Sequence, residues 1–151
     1  LVVDDEEDIL ELLEELLAMC VVVKASSFDE GAALMESQYF DLAVLDIMGV
    51  NGYKLLKIAV KREITPVMLT AHAISPGDIV KSFKKGAAYY IPKDKMHDIA
   101  TYLEELLEDK EKGRNPWVRW LDRWISFFDD RFGYDWKNKD LEFWKNFPKW
   151  D

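Results

Sequence analysis

Five polar side chains stand at or just beyond the ends of apolar runs: Asp4 and Asp5 after "LVV", Asp46 after "LAVL", Thr70 after "PVML", and Lys93 shortly after "AAYYI". Clustered carboxylates repel one another and require a cation, and an oxygen-only ligand set suits Mg²⁺ rather than zinc. A carboxylate that ends an apolar strand is partly desolvated and can serve as a nucleophile toward phosphorus. Phosphoryl transfer asks mainly for positioning and for neutralisation of the phosphoryl oxygens. Mg²⁺, the Lys93 ammonium and the Thr70 hydroxyl would supply that neutralisation, with Asp46 as the attacking group. Taken singly, each residue has a plainer reading: an acidic first helical turn, a strand-end hydroxyl, a solvated lysine. Their common registry at run ends is what joins them.

For these residues to meet, the apolar runs must be strands of one parallel sheet. Residues 1–112 alternate short apolar runs with helical patterns. Strands are expected at 1–3, 21–25, 41–46, 66–70 and 87–91. Ile9, Leu12, Leu13, Leu16 and Leu17 recur at three- and four-residue spacing, which predicts an amphipathic helix after the first strand. Its acidic first turn, Glu6, Glu7 and Asp8, suits the positive end of a helix dipole. Ser27 to Glu30 forms a capping-box pattern that opens a second helix. A third is expected from Gly52 to Arg62. A fourth starts with Ser75 as N-cap and Pro76 as first helical residue and stops at Gly86. A fifth runs from Lys95 to Lys112. Near-continuous apolar strands are buried on both faces, so the pattern predicts an α/β doubly wound parallel sheet with helices on each side. The C-terminal strand ends share one edge, where open α/β sheets place their ligand sites.

The pieces "VVDDEEDI", "DLAVLDIM", "VMLTAH" and "KKGAAYYIPKDK", in that order at strand ends, resemble the response-regulator receiver domains of two-component signalling over residues 1–112. That resemblance implies a flavodoxin-like five-stranded sheet of order 2-1-3-4-5. It implies Asp46 as phosphoacceptor, Asp5 as direct Mg²⁺ ligand with Asp4 as its water-mediated neighbour, and the Met48 backbone carbonyl completing the metal shell. It also implies Thr70 as the switch hydroxyl, Lys93 as the neutralising lysine and Tyr90 as the aromatic switch residue. The implied partner is a sensor histidine kinase or phosphotransfer protein. The implied role is a phosphoacceptor that assists its own phosphorylation and dephosphorylation, and not an enzyme. Two local departures stand out. "IMGVNGY" reaches its helix-opening Gly52 about two residues early and lacks a proline, and Asp94 follows Lys93 where the family has proline, with Pro92 before the lysine. The shortened stretch after Asp46 supports the alternative of a non-phosphorylated pseudo-receiver acting as a protein-interaction module. An aspartate-nucleophile phosphohydrolase is disfavoured, because Met48 stands where a general acid–base carboxylate is needed.

Charge and aromatic content divide the chain near Gly113. Residues 1–112 carry 12 Lys+Arg against 22 Asp+Glu, whereas 113–151 carry 8 against 7. The acidic first part argues against non-specific nucleic-acid binding, and no apolar run approaches a membrane span. The single Cys20 cannot form an internal disulfide, which suits a cytoplasmic location, and its place in "LLAMCVVV" predicts a core thiol. His72 and His97 stand without Cys/His company and are expected to be surface or loop residues; His72, two beyond Thr70, could tune water access to a phosphoryl group. All six tryptophans lie in 113–151. There, Asn115 and Pro116 open a helix whose stripe is Trp117, Trp120, Leu121, Trp124, Phe128 and Phe132. Gly133 ends it, and a short helix capped by Asp140 stops before Pro148. The expected division is a receiver domain at 1–112 and a Trp-rich helical extension at 113–151. The stripe fits packing back onto the first domain, a homodimer or downstream-protein surface, or, with its mixed Arg and Asp face, least well a membrane-surface helix.

Overall fold

In the computed structural model, which describes residues 1–71 and 75–147, five strands form one parallel sheet in the order β2-β1-β3-β4-β5. The strands are β1 (Val2–Val3), β2 (Lys24–Ala25), β3 (Leu42–Asp46), β4 (Thr65–Thr70) and β5 (Tyr89–Pro92). The helices between them are α1 (Glu7–Leu16), α2 (Phe28–Ser37), α3 (Gly52–Lys61) and α4 (Pro76–Lys84); a 3-10 turn over Lys93–Asp98 leads into α5 (Ile99–Glu111). Every neighbouring strand pair is parallel. The central strands hold the core: Ala43, Leu45, Val67 and Met68 have no measurable exposure. This is why their sequences are apolar at successive positions rather than alternating.

The helix starts follow the capping signals. Ser27 Oγ accepts from the Glu30 amide at 3.2 Å, Ser75 Oγ accepts from the Asp78 amide at 3.1 Å with Pro76 next in line, and Asn115 Oδ1 accepts from the Trp117 amide at 3.0 Å. Each satisfies an amide that has no partner within its own helix.

The second strand departs from expectation. Only Lys24–Ala25 pair regularly, and Val21 is 95% exposed. After α1 the chain turns tightly, with the Cys20 amide donating to Leu17 O at 2.8 Å. That short connection swings 20–21 outward, so Cys20 is an exposed free thiol and not a core residue. An apolar run alone does not separate a buried strand from an exposed edge. His97 is exposed, as expected, while His72, Pro148 and Trp150 lie outside the described residues.

Beyond Gly113, whose φ is +70°, lie α6 (Pro116–Phe132), a 3-10 turn (Trp136–Asp140) and α7 (Leu141–Lys145). The aromatic stripe packs back onto the sheet end. Trp117, Trp120, Trp124 and Phe128 are buried and continuous with the main core. This packing accords with the first of the sequence's three readings of the stripe. Among the described residues no helix is long and apolar enough to cross a membrane.

Candidate functional site

Four of the five strands deliver a polar residue to one rim. β1 runs into Asp4, β3 ends at Asp46, β4 ends at Thr70, and β5 hands on to Lys93. Register explains the convergence: Val3 pairs with Leu45, Asp46 with Leu69, and Thr70 with Pro92. Residues up to about ninety positions apart are thereby brought level with one another.

Lys93 is the hub. Its Nζ lies 2.8 Å from Asp4 Oδ2, 3.4 Å from Asp46 Oδ1 and 3.6 Å from Glu6 Oε1. The Lys93 side chain is only 8% exposed, and those of Asp4 and Asp46 are 1% and 5% exposed. Asp4 is held from both ends. Its Oδ1 accepts from the Glu6 amide at 2.9 Å, and its buried Oδ2 is paired with the Lys93 ammonium. Burial pushes the Asp46 carboxyl up to about 6; the Asp4 charge adds to this and Lys93 works against it. Burial likewise raises Asp4 against the pull of Lys93. For Lys93 burial favours the neutral form, but Asp4 and Asp46 outweigh it and its pKa is raised.

Asp5 is exposed beside them. Ligand oxygens of Asp4, Asp5 and Glu6 all lie within 4.8 Å of one another. Glu6 was expected merely in the first turn of α1. It is instead the residue before that helix, and its carboxylate joins the cluster. The sequence signal for it was the unbroken run of acids from Asp4 to Asp8, which does not say where the strand stops and the helix starts. Asp46 is outside that close set and is tied to it through Lys93 and Asp4.

The turn between β3 and α3 closes the rim. Gly49 has φ +82°, and a Cβ there would sit 2.5 Å from Asp5 Oδ1. The turn that contains Met48, whose side chain is 64% exposed, therefore runs directly beside the Asp5 carboxylate. Gly52 opens α3 because a side chain would collide with the Asp46 carbonyl oxygen; its amide donates to Ile47 O at 3.2 Å. The early glycine is thus the means by which a shortened loop starts its helix tight against the end of β3.

Three carboxylates around one ammonium, with the exposed Asp5 carboxylate beside them, leave an excess of negative charge made only of oxygen donors. Such a set fits Mg²⁺ rather than a softer metal. Thr70 is 2% exposed at the adjacent strand end, and Tyr90 is fully buried on β5. Burial, with the Asp78 charge nearby, raises the Tyr90 phenol well above its ordinary value.

The family of response regulator receiver domains matches residues 1–104. Among curated proteins, the two-component response regulator ARR18 of Arabidopsis thaliana is 32% identical over 99 residues, 62% of this chain and 15% of that protein. The transcriptional activator protein PfeR of Pseudomonas aeruginosa is 32% identical over 93 residues, 60% of this chain and 30% of that protein. This chain therefore spans a minor part of those relatives. A solved CheY-like receiver domain from Methanospirillum hungatei superimposes with a TM-score of 0.67 at 31% identity, covering 74% of this chain and 94% of that one. Since PfeR is a transcriptional activator, these similarities lend no support to the expectation that nucleic acid is not a partner.

Proposed function

Because the chain belongs to the response regulator receiver domain family, we propose that it is a phosphoacceptor in which Asp46 takes a phosphoryl group from the phosphohistidine of a sensor kinase or phosphotransfer protein. The observation that supports this most is the Lys93 ammonium bridging buried Asp4 and Asp46 at 2.8 and 3.4 Å. In the step, an Asp46 carboxylate oxygen forms a bond to phosphorus while the phosphorus–nitrogen bond to the donor imidazole breaks, the nitrogen keeping that electron pair. Lys93, already beside Asp46, offsets the negative charge of the phosphoryl oxygens. Thr70, at the neighbouring strand end, donates its hydroxyl to one of them. Asp4 and Asp5, with Asp46 and the Met48 carbonyl, would hold Mg²⁺. When bound, the metal supplies charge neutralisation and orientation of the phosphoryl oxygens.

The acyl phosphate adds charge and strong acceptor oxygens at the rim. Reorientation of Thr70 and Tyr90 would then bias the surface formed by α4, β5 and α5 between two arrangements, and that bias is the signal passed to a partner.

Incubation with Mg²⁺ and a small phosphodonor, followed by intact-mass measurement, tests the reading. One phosphoryl adduct is expected on the wild type and none on Asp46→Asn. No adduct on the wild type, with no Mg²⁺ binding, favours the pseudo-receiver instead.

A further inference from the structure

We infer that residues 116–147 are an intramolecular cap seated on the face formed by α4, β5 and α5, so that a partner reaches this face only by displacing the chain's own C-terminal helix. The cap touches all three elements. On α4, the Phe83 ring lies 5.1 Å from Trp117 and 5.3 Å from both Phe143 and Phe147. On β5, the Trp117 indole N–H donates to Ala87 O just before the strand and that of Trp120 to Tyr90 O, each at 2.8 Å. The Phe128 ring faces the Tyr90 ring at 6.5 Å. On α5, Tyr102 packs edge-on against Trp124 at 5.4 Å.

A two-rung ion ladder fixes the register. Arg123 Nη1 is 2.8 Å from Glu105 Oε2, and Arg119 Nη2 is 3.0 Å from Asp109 Oδ1. Both pairs are spaced i, i+4 on their helices, and the order reverses between them, so α6 runs antiparallel to α5 here. Asp109 is 4% exposed and Glu105 25% exposed in their side chains. The Arg123 bond holds Glu105 below the usual carboxylate range.

The attachment is separable from the sheet. All five strands are in place by Pro92, and the family match ends at residue 104, before the cap begins. Among the described residues, no backbone hydrogen bond joins 116–147 to 1–112. Indoles, aromatic contacts and ion pairs hold the cap instead, and the positive-φ Gly113 lies in its connection. The cap also has aromatic contacts of its own, with Phe128, Phe132, Trp136 and Trp144 in a chain of ring contacts. An element held only by side chains can leave without breaking a sheet ladder. The exposed face would then present an aromatic centre with two carboxylates four residues apart. That chemistry selects an amphipathic helix with an aromatic stripe and two arginines at matching spacing. The trigger for release, Asp46 modification, rests on the proposed phosphoacceptor reading; the cap itself does not.

Native-state hydrogen exchange on the full chain decides the cap. Amides of 120–132 are expected to open at least about tenfold faster than those of Leu45 and Met68, by a sub-global route. In the double variant Arg119→Glu/Arg123→Glu, cap exchange should rise about tenfold more, with the sheet unchanged. A labelled peptide of residues 115–133 should then bind the variant's face through aromatic contacts at least about tenfold tighter than it binds the wild type. Cap and sheet amides opening together in the wild type would overturn the inference even if the variant does not fold. So would a peptide that distinguishes the two proteins by nothing. With the phosphoryl adduct verified by mass, cap exchange should change about threefold or more. An adduct without that change refutes the trigger, whereas absence of the adduct refutes the phosphoacceptor reading and leaves the exchange result to judge the cap.

Discussion

Replacing Asp46 with Asn should stabilise the metal-free protein at about pH 7.5, and the gain should shrink as the pH is lowered. The Asp46 carboxyl is raised from 3.8 to about 6, by burial first and by the Asp4 charge second. Between those two values the native state holds a proton that the unfolded chain has released. Stability therefore falls as pH rises through this window. The full shift corresponds to about 3 kcal/mol above it, of which about 1 kcal/mol is already present near pH 4.5. Asn has the same shape and no charge, so it removes this cost. Part of the gain is offset because Lys93 loses its 3.4 Å contact, although it keeps Asp4 at 2.8 Å. The expected outcome is a variant more stable by about 1–3 kcal/mol near pH 7.5, with the difference smaller by about 2 kcal/mol near pH 4.5. Urea unfolding followed by tryptophan fluorescence, with a chelator present, measures both. An Asn variant less stable than wild type near pH 7.5, or a difference that does not move with pH, would refute the claim that Asp46 is a buried carboxylate held at a cost.

Lys93→Ala leaves Asp4 and Asp46 buried without their shared cation, and should destabilise by about 3–5 kcal/mol near neutral pH. The loss should fall on acidification, because both raised carboxyls then take up protons; urea unfolding at several pH values reads it. Gly49→Ala forces a side chain into a positive-φ position and against Asp5, so calorimetric titration should show Mg²⁺ affinity lower by about tenfold or more. Cys20 should react with a thiol reagent in the folded protein at a rate within about tenfold of a free thiol, because it is exposed; protection until unfolding would contradict the tight turn after α1.

The rim was legible because each of its residues ends an apolar run. Asp46 and Thr70 needed only the rule that parallel strands share an edge, and Lys93 needed the short step from β5. Glu6 was harder, since five consecutive acids give no sign of which one turns back toward the cation. The second strand shows the converse failure: "VVVKA" has a strand composition throughout, but a two-residue pairing is all that the tight turn before it permits. The α6 stripe was plain from its spacing, yet its partner was not. An amphipathic face states that something covers it and not what. Only the indole bonds to Ala87 and Tyr90 and the arginine ladder to α5 show that the cover is this chain itself.

The phosphoacceptor claim is tested most directly by locating the acyl phosphate. Borohydride reduction of the protein after treatment with Mg²⁺ and a phosphodonor converts a phosphorylated aspartate to homoserine, which fragment-ion sequencing then places in the chain. The account predicts homoserine at position 46 and nowhere else. Homoserine at Asp4 or Asp5, or its absence from a chain that carries the phosphoryl mass, would contradict it.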